Sequence, residues 1–265
     1  MSPRLPWAAR AKVVAKEAAV PFVKALGVLR RDPGRILLIL AHMRSGSTLL
    51  QHVLASHPSI FGRGERNKPY RTPWDLDRLV VDVCAHQKVL PGKHAIFVDQ
   101  LNHGRFLLDE TLLAHPRVKK VFLMREPFGT IGSIVHVLGN YYDVDVDRAV
   151  DYYVSRLEEL RGYAEMGSGS DNQFFLTYGD LVGEERRGVL SALGAFLGLK
   201  GELREDYRTF GFTGRSGDPG ERIFSGRISG ERSEWPLEIE DDRRRELENL
   251  FSGCVESLGR SCLSS

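Results

Sequence analysis

From residue 36 onward, short apolar runs alternate with longer segments in which apolar positions recur every three or four residues. Short runs bounded by turn residues read as strands, and the longer periodic segments as helices with one face turned inward. The pattern predicts strands at Ile36–Ala41, Ala95–Val98, Lys120–Met124 and Phe174–Thr177. Helices are expected near Thr48–Ser56, Leu76–His86, Phe106–Ala114, Phe128–Leu138, Val146–Glu165, Glu184–Leu197 and Asp241–Leu258. Strands that alternate with helices cross over into a parallel sheet, so the predicted fold class is α/β, three layers with helices on both faces of the sheet.

Two segments depart from the alternation. Residues 1–35 carry eight Lys and Arg against two acidic residues, with an amphipathic helix expected over Trp7–Ala19 and a second one opened by Pro21. This basic arm suits either membrane-surface contact or packing against the core or a partner subunit, as in a homodimer. Residues 36–265 then form the main domain, within a length that one core can serve. The second departure, Gly211–Trp235, is rich in Gly, Ser and Arg without an apolar period. It reads as a long loop whose four arginines suit an anion.

Bulk charge excludes more than it suggests. With 37 basic and 35 acidic residues the formal charge is +2, which gives no reason to expect a nucleic-acid partner. No apolar stretch approaches the roughly 20 residues of a transmembrane helix, and no cleavable signal is visible. Cys84, Cys254 and Cys262 are odd in number and lack a C-x-x-C pair, which argues against a disulfide framework or a structural zinc and points to the cytoplasm.

The candidate chemistry begins where the first strand ends. ILLILA runs into HMRSGSTLLQHVL, with Gly46 at the turn and Ser47 and Thr48 opening a helix. A parallel strand, a turn of small residues and a helix start leave backbone N–H groups aimed outward at a positive dipole end, which is a cradle for phosphate or sulfate. Arg44 adds a fixed forked cation, and the hydroxyls of Ser45, Ser47 and Thr48 add donors. Against the P-loop pattern G-x-x-x-x-G-K-[ST], Ala41 replaces the first glycine and Ser47 the lysine, while Thr48 keeps the hydroxyl. The cation has moved to Arg44.

R-S-G-S-T-L-L followed by H-P resembles the 5′-phosphosulfate-binding loop of the sulfotransferase family. KKVFLMREPFGTIGSIV resembles the same family's 3′-phosphate motif, with Arg125 at a strand end and Ser133 eight residues later. FFLTYGDLV resembles its Y-E-D-L-V strand end, matching at Tyr178 and Asp180 and departing at Gly179. The resemblance runs from about Ile36 to Trp235. It implies a P-loop-related three-layer fold, 3′-phosphoadenosine-5′-phosphosulfate (PAPS) as donor, a small-molecule or carbohydrate acceptor, and no required metal. In the late loop it points to Arg227 as a 3′-phosphate ligand, with Arg215, Arg222 and Arg232 competing.

Sulfuryl transfer to a hydroxyl needs a base near the acceptor. Glu65 in HPSIFGRGER stands where carbohydrate-type and some bacterial sulfotransferases carry a glutamate, and His103 in FVDQLNHGRF where the cytosolic small-molecule branch has a histidine. Both stay open at this point, with Asp99 third and His42 a positioning residue. A degenerate P-loop kinase and a non-catalytic nucleotide-binding module are the competing readings; the missing lysine and the intact R-x-P…S spacing count against the kinase.

Overall fold

A run in which every residue is apolar makes a stable strand only where both faces are covered. In the computed structural model, which describes Pro21 and residues 34–62, 64–89, 94–104, 108–139, 143–211, 213–214, 221–230 and 235–264, that run is β1 (Arg35–Ala41). It lies inside a six-stranded sheet with β2 (Ile60–Phe61), β3 (Ile96–Leu101), β4 (Val118–Met124), β5 (Gln173–Thr177) and β6 (Leu263–Ser264). The strand order is β2-β3-β1-β4-β5-β6, and every neighbouring pair is parallel.

Alternation along β1 divides the core into two layers. Ile36, Leu38 and Leu40 enter one apolar cluster, while Leu37, Ile39 and Ala41 enter the other. The second cluster is covered by α1 (Ser47–Ala55), α6 (Tyr178–Val182) and α7 (Arg186–Leu197). The first is covered by α2 (Pro73–Gln87), α3 (Glu110–Leu113), α4 (Pro127–Ser133), α5 (Val146–Met166) and α8 (Asp241–Ser261). The three-layer α/β class expected from the pattern is the observed one.

Several expected boundaries are corrected, each for a local reason. β2 and β6 have two residues apiece, too short to show a period, and are held by the edges they pair with. β3 continues past Val98 because the polar residues Asp99 and Gln100 are buried with partners, which an apolar-run criterion misses. The helix expected over Phe106–Ala114 reduces to α3, started by Asp109, whose side chain accepts from the Thr111 N–H. Residues 105–107 lie outside the described residues, as does the basic arm apart from Pro21. Within the late loop a 3₁₀ turn covers Glu221–Ser225, and Asp206 pairs with Arg227 in an antiparallel bridge; Arg215 and Arg232 lie outside the described residues.

Because every strand is parallel, the chain leaves each one at the same edge of the sheet. The segments following β1, β2, β3, β4 and β5 therefore converge there, where open α/β sheets bind ligands. Among the described residues no helix is long and apolar enough to cross a membrane.

Candidate active site

The turn after β1 contains two left-handed residues, Arg44 at φ 61° and Gly46 at φ 93°. A side chain at Gly46 is excluded twice, because a Cβ there would also lie 2.5 Å from the Tyr178 ring. α1 starts at Ser47 without a side-chain cap, so the N–H groups of its first turn are left for a ligand at the positive end of the helix. Ser45 is fully buried, and its hydroxyl has no hydrogen-bond partner among the described residues. Ser47 and Thr48 are buried beside it.

β4 delivers the second motif to the same place. Arg44 Nε donates to Ser133 Oγ at 2.8 Å, and Arg125 Nη1 donates to the Arg44 carbonyl at 3.3 Å. Arg125 is only 9% exposed and its guanidinium carbon lies 4.4 Å from the centroid of the Tyr178 ring, which orients the cation by stacking. Its Nε, 3.5 Å from Glu126 Oε1, is buried without a hydrogen bond. Glu126 itself caps α4 by accepting from the Gly129 N–H, with Pro127 in the first turn, and this aims the helix at the sheet edge. The helix passes into a π turn, Ile134–Leu138, right after Ser133, a local irregularity of the kind that concentrates at functional sites. Tyr178 comes from α6, whose capping box joins Thr177 and Asp180. Asp180 is thus a helix cap, and Tyr178 the residue that meets the site.

His42 ties the two motifs together. Its Nδ1 faces the Met43 carbonyl at 2.9 Å, so that nitrogen carries the proton and Nε2 accepts from the Arg125 backbone N–H, also at 2.9 Å. Complete burial, with the positive charges of Arg156 and Arg125 nearby, lowers its pKa to about 4. Unfolded, the imidazole takes a proton near pH 6.5, so the folded state loses stability as pH falls from about 6.5 to about 4. That shift corresponds to about 3 kcal/mol. Asp99 acts in the opposite sense, since burial raises its pKa from 3.8 to about 6 and its contribution to stability is lost as pH rises through that window. The difference between wild type and His42→Gln, which keeps an acceptor toward Arg125, isolates the histidine. Urea unfolding should show the variant losing less stability than wild type between pH 7 and pH 4, and parallel curves would contradict the lowered pKa of His42.

Glu65 is held at the edge by two elements. Gly62, at φ 123°, lets the chain pass so close to β3 that a Cβ would sit 2.1 Å from the Val98 carbonyl oxygen. Gln51 of α1 then clamps Gly64 through both its amide atoms, at 2.9 and 3.3 Å. Glu65 Oε1 accepts from Asn102 Nδ2 at 2.5 Å and from Gln100 Nε2 at 3.4 Å. The Asn102 carbonyl accepts from Tyr152, whose hydroxyl accepts from the Met43 N–H in the turn after β1. A continuous hydrogen-bonded path therefore joins Glu65 to the loop. His103 packs against the same Tyr152, ring centroids 6.4 Å apart. Asp99 is 1% exposed, and its oxygens accept from Tyr70 and from the backbone N–H groups of Arg66 and Gln100.

The structure thus gathers Arg44, Ser45, Gly46, Ser47, Thr48, Arg125, Ser133 and Tyr178 at one end of β1 and β4, with Glu65 and His103 on the β3 side. Arg227 is turned toward Asp206 and Glu205, 3.8 and 4.0 Å away, and is 63% exposed. Sequence reasoning missed Tyr152 and Arg156. Arg156 is buried and donates to the carbonyls of Ala41 and Leu101, stitching the ends of β1 and β3 together. Its signal was its place on the apolar stripe Ala149, Tyr153, Leu160 of α5, where a charged residue must have buried partners.

The fold is a P-loop-like α/β sheet that gathers Arg44 and Arg125 at one edge. No family model matches the chain, and neither does any curated protein. Among solved structures, the sulfotransferase domain from the curacin biosynthetic pathway matches with a TM-score of 0.51 at 18% identity, over 83% of this chain and 97% of that one. The sulfotransferase domain of the Synechococcus PCC 7002 olefin synthase matches with a TM-score of 0.53 at 19% identity, over 83% and 94%. The chain has the fold of these sulfotransferase domains.

Proposed function

We propose that this chain is a sulfotransferase that moves a sulfuryl group from PAPS to a hydroxyl or amine of a small-molecule or carbohydrate acceptor. One observation carries the reading: Arg44 and Ser133, 89 residues apart and from separate anion motifs, share a 2.8 Å hydrogen bond with Arg125 beside them. Two segments that resemble phosphate motifs meet at one place, which suits a nucleotide with two separated phosphate groups.

The residues present fit such a donor. Ser45 Oγ and Arg125 Nε are buried donors without hydrogen-bond partners among the described residues, and phosphate oxygens would satisfy both. Arg44, Ser45, Ser47, Thr48 and the N–H groups at the start of α1 would hold the 5′ end, with Gly46 admitting the close approach. Arg125 and Ser133 would hold the 3′-phosphate, and Tyr178 keeps Arg125 in place. Arg227 faces Asp206 and Glu205 and would turn away from them to reach the 3′-phosphate. When bound, the donor supplies an activated sulfuryl group on a phosphate leaving group. Arg44 stabilises the negative charge that grows on that phosphate. Glu65, fixed in orientation by Asn102 and Gln100, takes the acceptor proton, and His103 flanks it.

The donor assignment has a direct test. Adenosine 3′,5′-bisphosphate should bind at least tenfold more tightly than adenosine 5′-monophosphate, because charge-assisted bonds from Arg125 and Ser133 are worth about 1.5–3 kcal/mol. Equal affinities by calorimetry would remove the 3′-phosphate from the reading. Magnesium-dependent ATP turnover would replace it with a kinase.

A further inference from the structure

One residue beyond Glu65, the chain lines a second concave region. Arg66, Lys68, Pro69, Tyr70, Asp75, Arg78, Leu79 and Asp82 surround a cleft of about 160 Å³ between this segment and α2. Its charges are not evenly matched. Lys68 is paired with Asp82 at 3.1 Å. Asp75 Oδ2 is engaged in capping α2, accepting from the N–H groups of Arg71 and Thr72 and from the Thr72 hydroxyl. Among the described residues Arg66 and Arg78 have no carboxylate within ion-pair distance.

Arg66 is the more telling of the two. Its Nε and Nη2 are buried and have no hydrogen-bond partner among the described residues. The neighbouring buried carboxylate Asp99 already accepts from Tyr70 and two backbone N–H groups, one of them that of Arg66 itself. A guanidinium withdrawn from water with two donors unmet is costly unless an oxyanion completes it, and the fork geometry suits a carboxylate, phosphate or sulfate group. Tyr70 and Leu79 add apolar wall to the same cleft. The volume suits the charged end of a molecule rather than a whole acceptor.

Resting on the sulfotransferase reading, we infer that the acceptor carries an oxyanion, held between Arg66 and Arg78 while its hydroxyl or amine lies at Glu65. The cleft then selects negatively charged acceptors and fixes their register by the step from Arg66 to Glu65.

The test begins with inorganic sulfate as the probe, titrated by calorimetry with adenosine 3′,5′-bisphosphate present at saturation. Wild type and Arg44→Ala should bind sulfate alike, whereas Arg78→Gln and Arg66→Gln should each weaken it at least fivefold. Arg78 is only partly buried and has no side-chain bond among the described residues, so its variant remains informative if Arg66→Gln fails to fold. Absent sulfate binding, loss in Arg44→Ala, or no change in Arg78→Gln overturns the anion site. A second arm compares hydroxylated sugars and phenols bearing a carboxylate, a phosphate or a sulfate with their neutral methyl-ester or unsubstituted counterparts. Charged acceptors should show at least tenfold higher kcat/KM in wild type, and Arg78→Gln should abolish the difference. Equal use of neutral acceptors overturns the acceptor role. If the bisphosphate nucleotide does not bind, it is the donor reading that fails, and sulfate binding by Arg44→Ala without nucleotide still reports on the cleft.

Discussion

Glu65→Gln should lower turnover at saturating donor and acceptor by about 10²-fold or more while leaving the affinity for adenosine 3′,5′-bisphosphate within about twofold. The substitution keeps size and shape, and the new amide oxygen can still accept from Asn102 and Gln100, the two donors that fix the carboxylate. What it removes is the capacity to take a proton. His103→Gln is the discriminating companion, because His103 packs on Tyr152 on the same side of the site. With Glu65 as the base, that variant should retain most of its turnover. A loss confined to His103→Gln, with an acid limb near pH 6.5, would transfer the role to the imidazole. If neither substitution reduces turnover by 10²-fold, general-base assistance by this side of the site is excluded.

Arg44→Ala should depress turnover by about 10²–10³-fold even when the donor is saturating, the size of effect found when one donor to a developing oxyanion is deleted. The reason is differential binding: charge on the departing phosphate is greater in the transition state than in the ground state. Arg125→Ala should act chiefly on the dissociation constant of the nucleotide, raising it tenfold or more. Loss of affinity alone in both variants, in similar proportion, would refute the division of roles.

How much of this was legible in the sequence can be judged residue by residue. The two motifs that resemble phosphate sites could be read because their physics is local: a strand, a turn and a helix start present N–H groups whatever the rest of the chain does, and R-E-P followed by Ser133 needs only one helix. Alternation of apolar runs with periodic segments was enough for the α/β class. His103 and Glu65 could not be ranked by type and position, since a base is defined by what it faces.

The tertiary structure decided what depends on partners distant in the chain. Only the parallel order β3-β1-β4 brings Arg44 against Ser133, and only burial leaves His42 neutral, with one nitrogen for Met43 and the other for Arg125. Asp99, an acid that the sequence offers as a third base, is buried and accepts from the Tyr70 hydroxyl and the Arg66 N–H. The physical distinction is one of range. Periodicity, capping and turn chemistry act over a few residues and are written in the order of the amino acids. Desolvation and hydrogen-bond pairing depend on which residues fill the space around a group, and for His42, Glu65, Asp99 and Arg66 those neighbours come from other strands and helices.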